Sequence, residues 1–544
     1  DIAVPIEHLR DCLLDLQHLF RRYRYEDTII WGHVFDGNVH FVLSPDFADP
    51  AEIEKYKSFM DAVVGLVVDK YDGSLKAEHG TGRNMAPFVR REWGDRLYEV
   101  MQEIKSIFDP EGLLNPGVII NDDPEAHVRH FKAMPPAHDT VDACIECGFC
   151  ERSCMSHDFT LSARQRIVVF REMTRLAASG EDPQRLAALR RRFEYYGDRT
   201  CAADGLCALT CPVDIDTGRL IKDLRADRLQ PLARRIGKSV AEHMDKVTAV
   251  GRIGLGLLDR VHGRLGSNSM AAAAGTLRKW SGGRLPQWTP AMPRSAARAT
   301  LTTGCLGRAD QVVYFPSCIN RTMGPARGSE NDALPRRTAL LLHKAGYGIC
   351  YPPRMASLCC GMPFASKGMK AIARDKAAEL EAALLQVSDG GRIPILCDMS
   401  PCLHHMRETL DKRLQLFEPI RFTLKYLIDR LEFEKIPGPV AIHTVCSAKI
   451  MGLESDLHRL AAMCAEEVVA PDIVCCGFAG DRGFTVPELN DFGLRRLKPQ
   501  LPAAVREGFS TSRTCEIGLS SHSGVDYKSI LYLVDRCTQP KSPR

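Results

Sequence analysis

Seven cysteines between Cys144 and Cys211 carry the densest chemistry in this 544-residue chain. They read Cys144-x2-Cys147-x2-Cys150-x3-Cys154, then Cys201-x5-Cys207-x3-Cys211-Pro212. Thiolates at steps of three can point at one cube of iron and sulfide from a single turn, while the fourth Cys of such a run reaches a second cube. The second run keeps the spacing of the first, with Asp204 where its second Cys would stand. By this crossing, one cluster takes Cys144, Cys147, Cys150 and Cys211. The other takes Cys154, Cys201 and Cys207, with Asp204 as candidate fourth ligand. A carboxylate is a harder ligand than a thiolate, so that cluster is expected to interconvert between four-iron and three-iron forms. Zinc is the alternative, but its sites usually use C-x2-C pairs rather than three Cys at steps of three.

A second set of candidate ligands lies near the start. Thr28 to Phe35 and Val39 to Leu43 are rich in β-branched and aromatic residues, and Asp36-Gly37-Asn38 between them is a hairpin signal. A two-residue Asp36-Gly37 turn would pair Phe35 with Asn38 and set His33 opposite His40, with Cβ atoms ~5 Å apart on one face. Two imidazoles at that separation can share a metal ion; the alternative is two histidines on a solvated face. Asp49-Pro50 is an N-cap followed by Pro. Ile53, Tyr56, Met60, Val63, Val64, Val67, Val68 and Tyr71 follow at helical spacing, and Gly73 ends the helix. Ser74 to Glu78 then reads as a returning strand that brings Glu78 to the hairpin as a third ligand. His79 would face the other way or sit in the loop. A second amphipathic helix runs from Leu97 to Phe108, and Leu113-Leu114-Asn115-Pro116-Gly117 is a turn.

A third set repeats. Val312 to Cys318 is a strand ending at a Cys, followed by Cys359-Cys360-Gly361, Cys397 and Ser400-Pro401-Cys402. The second copy runs from Ala441 to Cys446, then Cys475-Cys476-Gly477, then Thr514-Cys515. This is an internal repeat, and the helical stretches between its apolar runs argue α/β modules. One buried Cys is ordinary, but four at repeated spacing are not. Cys12, Cys305, Cys350, Cys464 and Cys537 fit no motif and read as inert.

These sets need several domains to position them. The expected organisation is a mixed α+β and α/β multidomain chain. It has an α+β cap-type domain over 1–122, a helical two-cluster module over 123–230, a basic helical linker over 231–310, and two α/β cysteine-rich repeats over 311–435 and 436–544. The net charge of +4, from 72 basic and 68 acidic residues, gives no global sign of a nucleic-acid partner. Clustered thiols among 21 Cys indicate a reducing compartment. No run of about 18 apolar residues and no signal peptide is found. The chain starts at Asp1 within a helical pattern, so an N-terminal part is expected to be missing or carried on another chain. Residues 231–300 hold twelve Lys and Arg against Glu242, Asp245 and Asp259. Ile253, Leu255, Leu257, Leu258 and Val261 make an apolar face there, with Trp280 and Trp288 beyond. That stretch is either an internal linker with a solvated basic side or a surface that docks on an anionic membrane. Residues 281–305 read as loosely structured.

The run Gly32-His33-x2-Asp36-Gly37-Asn38-x-His40, the run Lys76 to Gly82, and Phe108-Asp109-Pro110-x3-Leu114-Asn115-Pro116-Gly117 resemble the C-terminal portion of FAD-linked D-2-hydroxyacid dehydrogenases. The resemblance implies a divalent metal, commonly zinc, on His33, His40 and Glu78, with His79 as base and Asn115 near the flavin. The cysteine repeats resemble those of heterodisulfide reductase and of glycolate oxidase iron–sulfur subunits. That implies a further cluster or redox thiols at Cys318, Cys359, Cys360 and Cys402, and at Cys446, Cys475, Cys476 and Cys515. Cys475 to Phe484 and Ser512 to Gly518 look closest to fused FAD and iron–sulfur D-lactate dehydrogenases. The first Cys set resembles a helical ferredoxin module with two 4Fe-4S clusters.

The expected activity is NAD-independent oxidation of a D-2-hydroxyacid, with D-lactate favoured. FAD takes the electrons, which pass through the clusters to a quinone or cytochrome. The flavin-binding domain would be supplied in cis or in trans, and the location is cytoplasmic, peripheral on the inner face of the cell membrane. The alternative is an iron–sulfur electron-transfer subunit of a glycolate oxidase or heterodisulfide-reductase-like complex.

Overall fold

A computed structural model describes residues 1–132, 134–283, 285–297 and 310–541. The chain divides into two compact units, Asp1–Pro135 and Pro136–Arg544.

The first unit is built on an antiparallel sheet in the order β1 (Ile2–Ala3), β3 (Asn38–Phe41), β2 (Ile30–Trp31). Alternation along β3 sorts its side chains. Val39 and Phe41 pack into the core with the helices Leu9–Arg22 and Pro50–Val64, while Asn38 and His40 take the other face, where both are buried. The Asp49 carboxylate accepts the Ala51 N–H at 2.8 Å, with Pro50 in the first turn. This helix starts where the sequence places it and continues as a π-turn through Lys70. Two expectations are corrected. The hairpin has no two-residue turn: Trp31 pairs with His40, and residues 32–37 form a longer loop with a 3-10 turn over Val34–Asp36. Ser74 to Glu78 is not a strand. It makes one isolated bridge, Ser74 with Ala3, and is held by Glu92, which accepts from Ser74 Oγ at 2.7 Å and from the Leu75 N–H at 3.2 Å.

The second unit opens with the helices Ala163–Ser179, Pro183–Phe193 and Thr217–Asp227 around Val141, Ile167, Phe193, Leu220 and Ile221. Ser162 and Gln165 form a reciprocal capping box at the first of these. The helices Pro231–Glu242 and Met244–Trp280 follow, the second broken at Gly266. Within the stretch expected to be loose, β4 (Pro293–Ser295) pairs with β6 (Met323–Ala326); residues 298–309, including Cys305, lie outside the described residues.

The repeats form two four-stranded parallel sheets of one topology. The first orders β7 (Gly348–Cys350), β5 (Gln311–Phe315), β8 (Ile395–Cys397) and β9 (Leu416–Phe417). The second orders β12 (Ala465–Val469), β11 (Ile436–Ile442), β13 (Glu507–Ser510) and β14 (Asp526–Ser529). β10 (Leu431–Phe433) pairs antiparallel with β15 (Thr538–Pro540) and ties the end of the first repeat to the end of the second. One continuous core, from Val312 to Cys537, runs through both.

Candidate active site and metal centres

In the first unit, His40 rises from the central strand and is almost fully buried, and its Nε2 lies 2.8 Å from Glu78 Oε1. His33 does not face it from the partner strand. It comes from the loop, where its carbonyl accepts the Asp36 and Asn38 N–H groups, and its Nε2 lies 3.4 Å from the same Glu78 oxygen. One ligand atom from each of His33, His40 and Glu78 lies within 4.8 Å of the others. Two imidazoles and a carboxylate at that spacing are the donor set of an open divalent site, with positions left for other ligands. His79 does not point away: its ring centroid is 4.9 Å from that of His40, and its Nε2 is 3.9 Å from Glu78 Oε1. The Asp1 carboxylate fixes this loop by accepting the Glu78 and His79 N–H groups at 2.9 and 3.2 Å. Nothing in the spacing of Asp1 announced that contact. Asn115 is exposed, with φ 44. Its turn is tied to the His79 loop by the Ile119 N–H donating to Gly82 O at 3.2 Å.

In the second unit, Cys144, Cys147, Cys150 and Cys211 line one small cavity, so the last Cys of the second run joins the first three of the first. Burial pushes the Cys150 thiol up to about 11; ligation must therefore displace protons. The other group gathers around Arg166. Its Nη1 donates to Cys154 Sγ at 3.5 Å, its Nε donates to Gly197 O at 2.6 Å, and Cys201 and Cys207 lie close enough to feel its charge. Arg166 was missed in the sequence; its place on the helix after Cys154 was legible, its burial was not. Asp204 lies between two sites. It acts on the Cys207 thiol electrostatically, but its own side chain hydrogen-bonds Cys475 of the second repeat. Its Oδ1 also accepts the Leu206 N–H at 3.2 Å. Burial raises the Asp204 carboxyl above the usual range.

Each repeat sets its Cys groups at the carboxyl ends of parallel strands, where open α/β sheets bind ligands. Cys318 follows β5 and lies 3.9 Å from Cys359, sulfur to sulfur; the contacts continue from Cys359 to Cys360, Cys402 and Cys397. In the second repeat they run from Cys446 through Cys475 and Cys476 to Cys515. The hydrogen bond to Cys475, then burial, holds the Cys446 thiol well above its ordinary value. The glycine of each Cys-Cys-Gly run is required by the backbone. Gly361 and Gly477 have φ of 90 and 73, and a Cβ would meet Ala373 O at 2.4 Å or Leu489 O at 2.9 Å. A cavity of about 1600 Å³ is lined by Cys318, Cys402, Cys446, Cys475, Cys515 and Asp204. Four thiolates on one zinc would sit roughly 3.8 Å apart. Among the described residues, no three cysteines bring their sulfurs within 4.8 Å of one another. Of the cysteines outside the motifs, Cys464 and Cys537 hydrogen-bond each other in the core, and Cys12 and Cys350 are buried.

Comparison with known proteins finds three matching segments. Residues 1–119 match the family described as FAD linked oxidases, C-terminal domain. Residues 143–216 match the 4Fe-4S dicluster domain, and residues 312–407 the cysteine-rich domain. A D-2-hydroxyglutarate dehydrogenase of Stutzerimonas stutzeri is 32% identical over 121 residues, 22% of this chain and 26% of that protein. One of Pantoea ananatis is 28% identical over 296 residues, 45% of this chain and 28% of that protein. A probable mitochondrial D-lactate dehydrogenase of Danio rerio is 31% identical over 120 residues, 22% of this chain and 24% of that protein. The chain thus spans about a quarter of the length of these relatives. From its amino end onward it carries a C-terminal domain of FAD linked oxidases, a 4Fe-4S dicluster domain and a cysteine-rich domain.

Proposed function

We propose that this chain is the substrate-orienting and electron-carrying part of an NAD-independent D-2-hydroxyacid dehydrogenase. The observation that carries the reading is the convergence of His33, His40, Glu78 and His79 at one place in the first unit. An electron relay alone has no use for that group. When bound, a divalent metal, zinc by preference, lowers the pKa of a ligated hydroxyl, and FAD accepts the hydride. The protein's own part is positioning and proton handling. His33, His40 and Glu78 hold the metal, and the buried His40 fixes the centre of the set. The exposed His79 takes the hydroxyl proton at Nε2, and the Asn115 turn meets the flavin. The class of substrate is the 2-hydroxyacid common to the relatives' names, with D-lactate the first candidate.

Electrons then leave by the second unit. Cys144, Cys147, Cys150 and Cys211 hold one 4Fe-4S cluster. Cys154, Cys201 and Cys207 hold the other, which has only three thiolate ligands. The repeats add a further cluster or redox thiols, and the acceptor is a quinone or cytochrome at the inner face of the cell membrane. The flavin-binding domain docks in cis or in trans. In support, the helix Asp95–Phe108 exposes Leu97, Val100, Ile104 and Ile107 on one side, and Phe35 beside the His site is 99% exposed. The compactness of Pro136–Arg544 as a unit favours one second reading, an electron-transfer subunit fed by a separate flavoprotein.

The test is anaerobic mixing of D-2-hydroxyacid with the metal-loaded chain and its flavin-binding domain. Substrate-dependent bleaching of the cluster absorbance, lost in His79→Ala, supports the dehydrogenase. Bleaching that survives His79→Ala assigns the chain to the relay.

A further inference from the structure

The helix Met244–Trp280 turns its more apolar face outward. Before the break at Gly266, Val247, Val250, Leu257, Val261 and Leu265 recur at steps of three, four and seven, one stripe at helical spacing. Ile253 and Leu258 lie at its edges. All seven are between 41% and 68% exposed. The face that packs on the protein is the poorer one. Thr248 is buried there, Gly251 approaches Thr322 and Gly263 the Arg327 guanidinium, and Asp259 pairs with Arg327 at 2.9 Å. An amphipathic helix of a water-facing protein is arranged the other way round. Beyond the break, Leu277 and Trp280 are 53% and 88% exposed.

The charges beside the stripe select its partner. Lys246, Arg260 and Arg264 lie along one edge, exposed, and Lys279 precedes the exposed Trp280. Among the described residues none of these four has a carboxylate within ion-pair distance, whereas Asp259 is already taken by Arg327. The preceding helix, Pro231–Glu242, adds exposed Arg234, Arg235 and Lys238, with Leu232 and Ile236 exposed four residues apart. The other exposed apolar helix, Asp95–Phe108, mixes Glu99 and Glu103 with Arg96 and Lys105, as suits a protein partner. An apolar stripe with a one-signed basic edge and an interfacial Trp instead matches acyl chains under anionic headgroups. No described helix is long and apolar enough to cross a membrane, so the contact lies in the plane of the interface.

We propose that the outward face of residues 244–280 is the surface on which this protein lies against an anionic lipid bilayer. The inference stands without the proposed reaction, and it brings the unit to the phase in which a quinone dissolves.

The experiment is co-sedimentation of the full chain with phosphatidylglycerol–phosphatidylcholine vesicles and with phosphatidylcholine vesicles. Binding to the first is expected to be about tenfold tighter or more and to weaken with salt. The double variant Leu257→Asp, Val261→Asp, at exposed positions, should lose about tenfold or more even at low salt. Arg260→Glu with Arg264→Glu should lose the preference for anionic lipid. Iron and acid-labile sulfide content serve as the check that these variants fold. Absence of vesicle binding at low salt overturns the proposal. So does binding unchanged in the Leu257→Asp, Val261→Asp protein, or a dimer in solution that this variant dissociates.

Discussion

Arg166 Nη1 lies 3.5 Å from Cys154 Sγ, on a side chain that is 1% exposed. Among the described residues no carboxylate pairs with it, and its Nη2 has no partner at all. Further along the same helix, Arg171 approaches the other Cys quartet through the Cys144 carbonyl, but Glu146 neutralises it at 3.1 Å. Beside one cluster site thus lies a buried guanidinium with no ion pair, acted on at longer range by the Asp204 carboxylate, and beside the other a buried Arg171–Glu146 pair.

A cation in a dry site favours the more negative, reduced state of a cluster beside it. The group held by Cys154, Cys201 and Cys207 should be the easier of the two to reduce. Arg166→Gln, which keeps a donor for Gly197 O, should lower its potential by on the order of 100 mV, the effect of one charge at roughly 5 Å in a medium of effective dielectric about 20. Redox titration followed by electron paramagnetic resonance measures the gap between the clusters. A gap that does not change in the variant would sink the assignment.

At the histidine site, the Ala variants of His40 and His33 should lose stoichiometric metal. His79→Ala should keep it while turnover with the flavin-binding domain falls about a hundredfold or more. Metal content by mass spectrometry separates these outcomes. Metal retained in His40→Ala would remove the ligand set.

Asp204 hydrogen-bonds Cys475 across the module boundary, so Asp204→Asn should alter the Cys446, Cys475, Cys476 and Cys515 site while leaving the spectrum of the Cys144 quartet unchanged. If only the three-iron signal expected of the Cys201 cluster responds, Asp204 belongs to that cluster, as its spacing suggests.

Ala at Gly361 or Gly477 places a Cβ against a backbone carbonyl at a positive φ. Such strain costs about 1–3 kcal/mol. Each variant should unfold at lower denaturant and load less iron in its own repeat. Unaltered midpoints would mean that the loops yield.

Burial, then the charge of Lys449, holds the His443 imidazole down to about 3. An unfolded histidine titrates near 6.5. Below that pH the unfolded chain takes a proton that the folded chain refuses. The stabilisation is thus complete above about 6.5 and is lost as pH falls towards 3, by roughly 1.4 kcal/mol per unit. Comparing urea midpoints at about pH 7 and 5.5, wild type should lose more stability than His443→Leu. Equal losses would show that His443 is solvated.

Some of this was legible in the sequence and some was not, for local reasons. The Asp49-Pro50 helix start depends on neighbours in the chain, and it appears where the cap and Pro place it. The two parallel sheets follow from apolar runs separated by helical stretches. The hairpin failed because Gly32 lets its backbone pass so close to Asn38 O that a Cβ would sit 2.2 Å away; the chain leaves the ladder just after Trp31, which no turn rule anticipates. His33 still reaches Glu78, from a loop instead of a strand. Cysteine spacing fixed where Asp204 falls along its turn but not which way it faces, because Cys475 comes from 271 positions further on. The same holds for Arg166, whose surroundings are supplied by segments far from its own helix.

The contacts between the dicluster region and the two repeats are made by side chains rather than by the segment that joins them. The Tyr195 hydroxyl donates to Glu488 at 2.8 Å, Arg225 reaches Ser366 O at 2.8 Å, and Met155 packs with Leu206, Cys475 and Leu489 in one apolar cluster. A break in the chain beyond Trp280 would remove none of these. It would cost only the effective concentration that tethering provides. Two polypeptides divided there could reassemble into the same cysteine-lined cavity, so one gene or two would make little physical difference to the finished site.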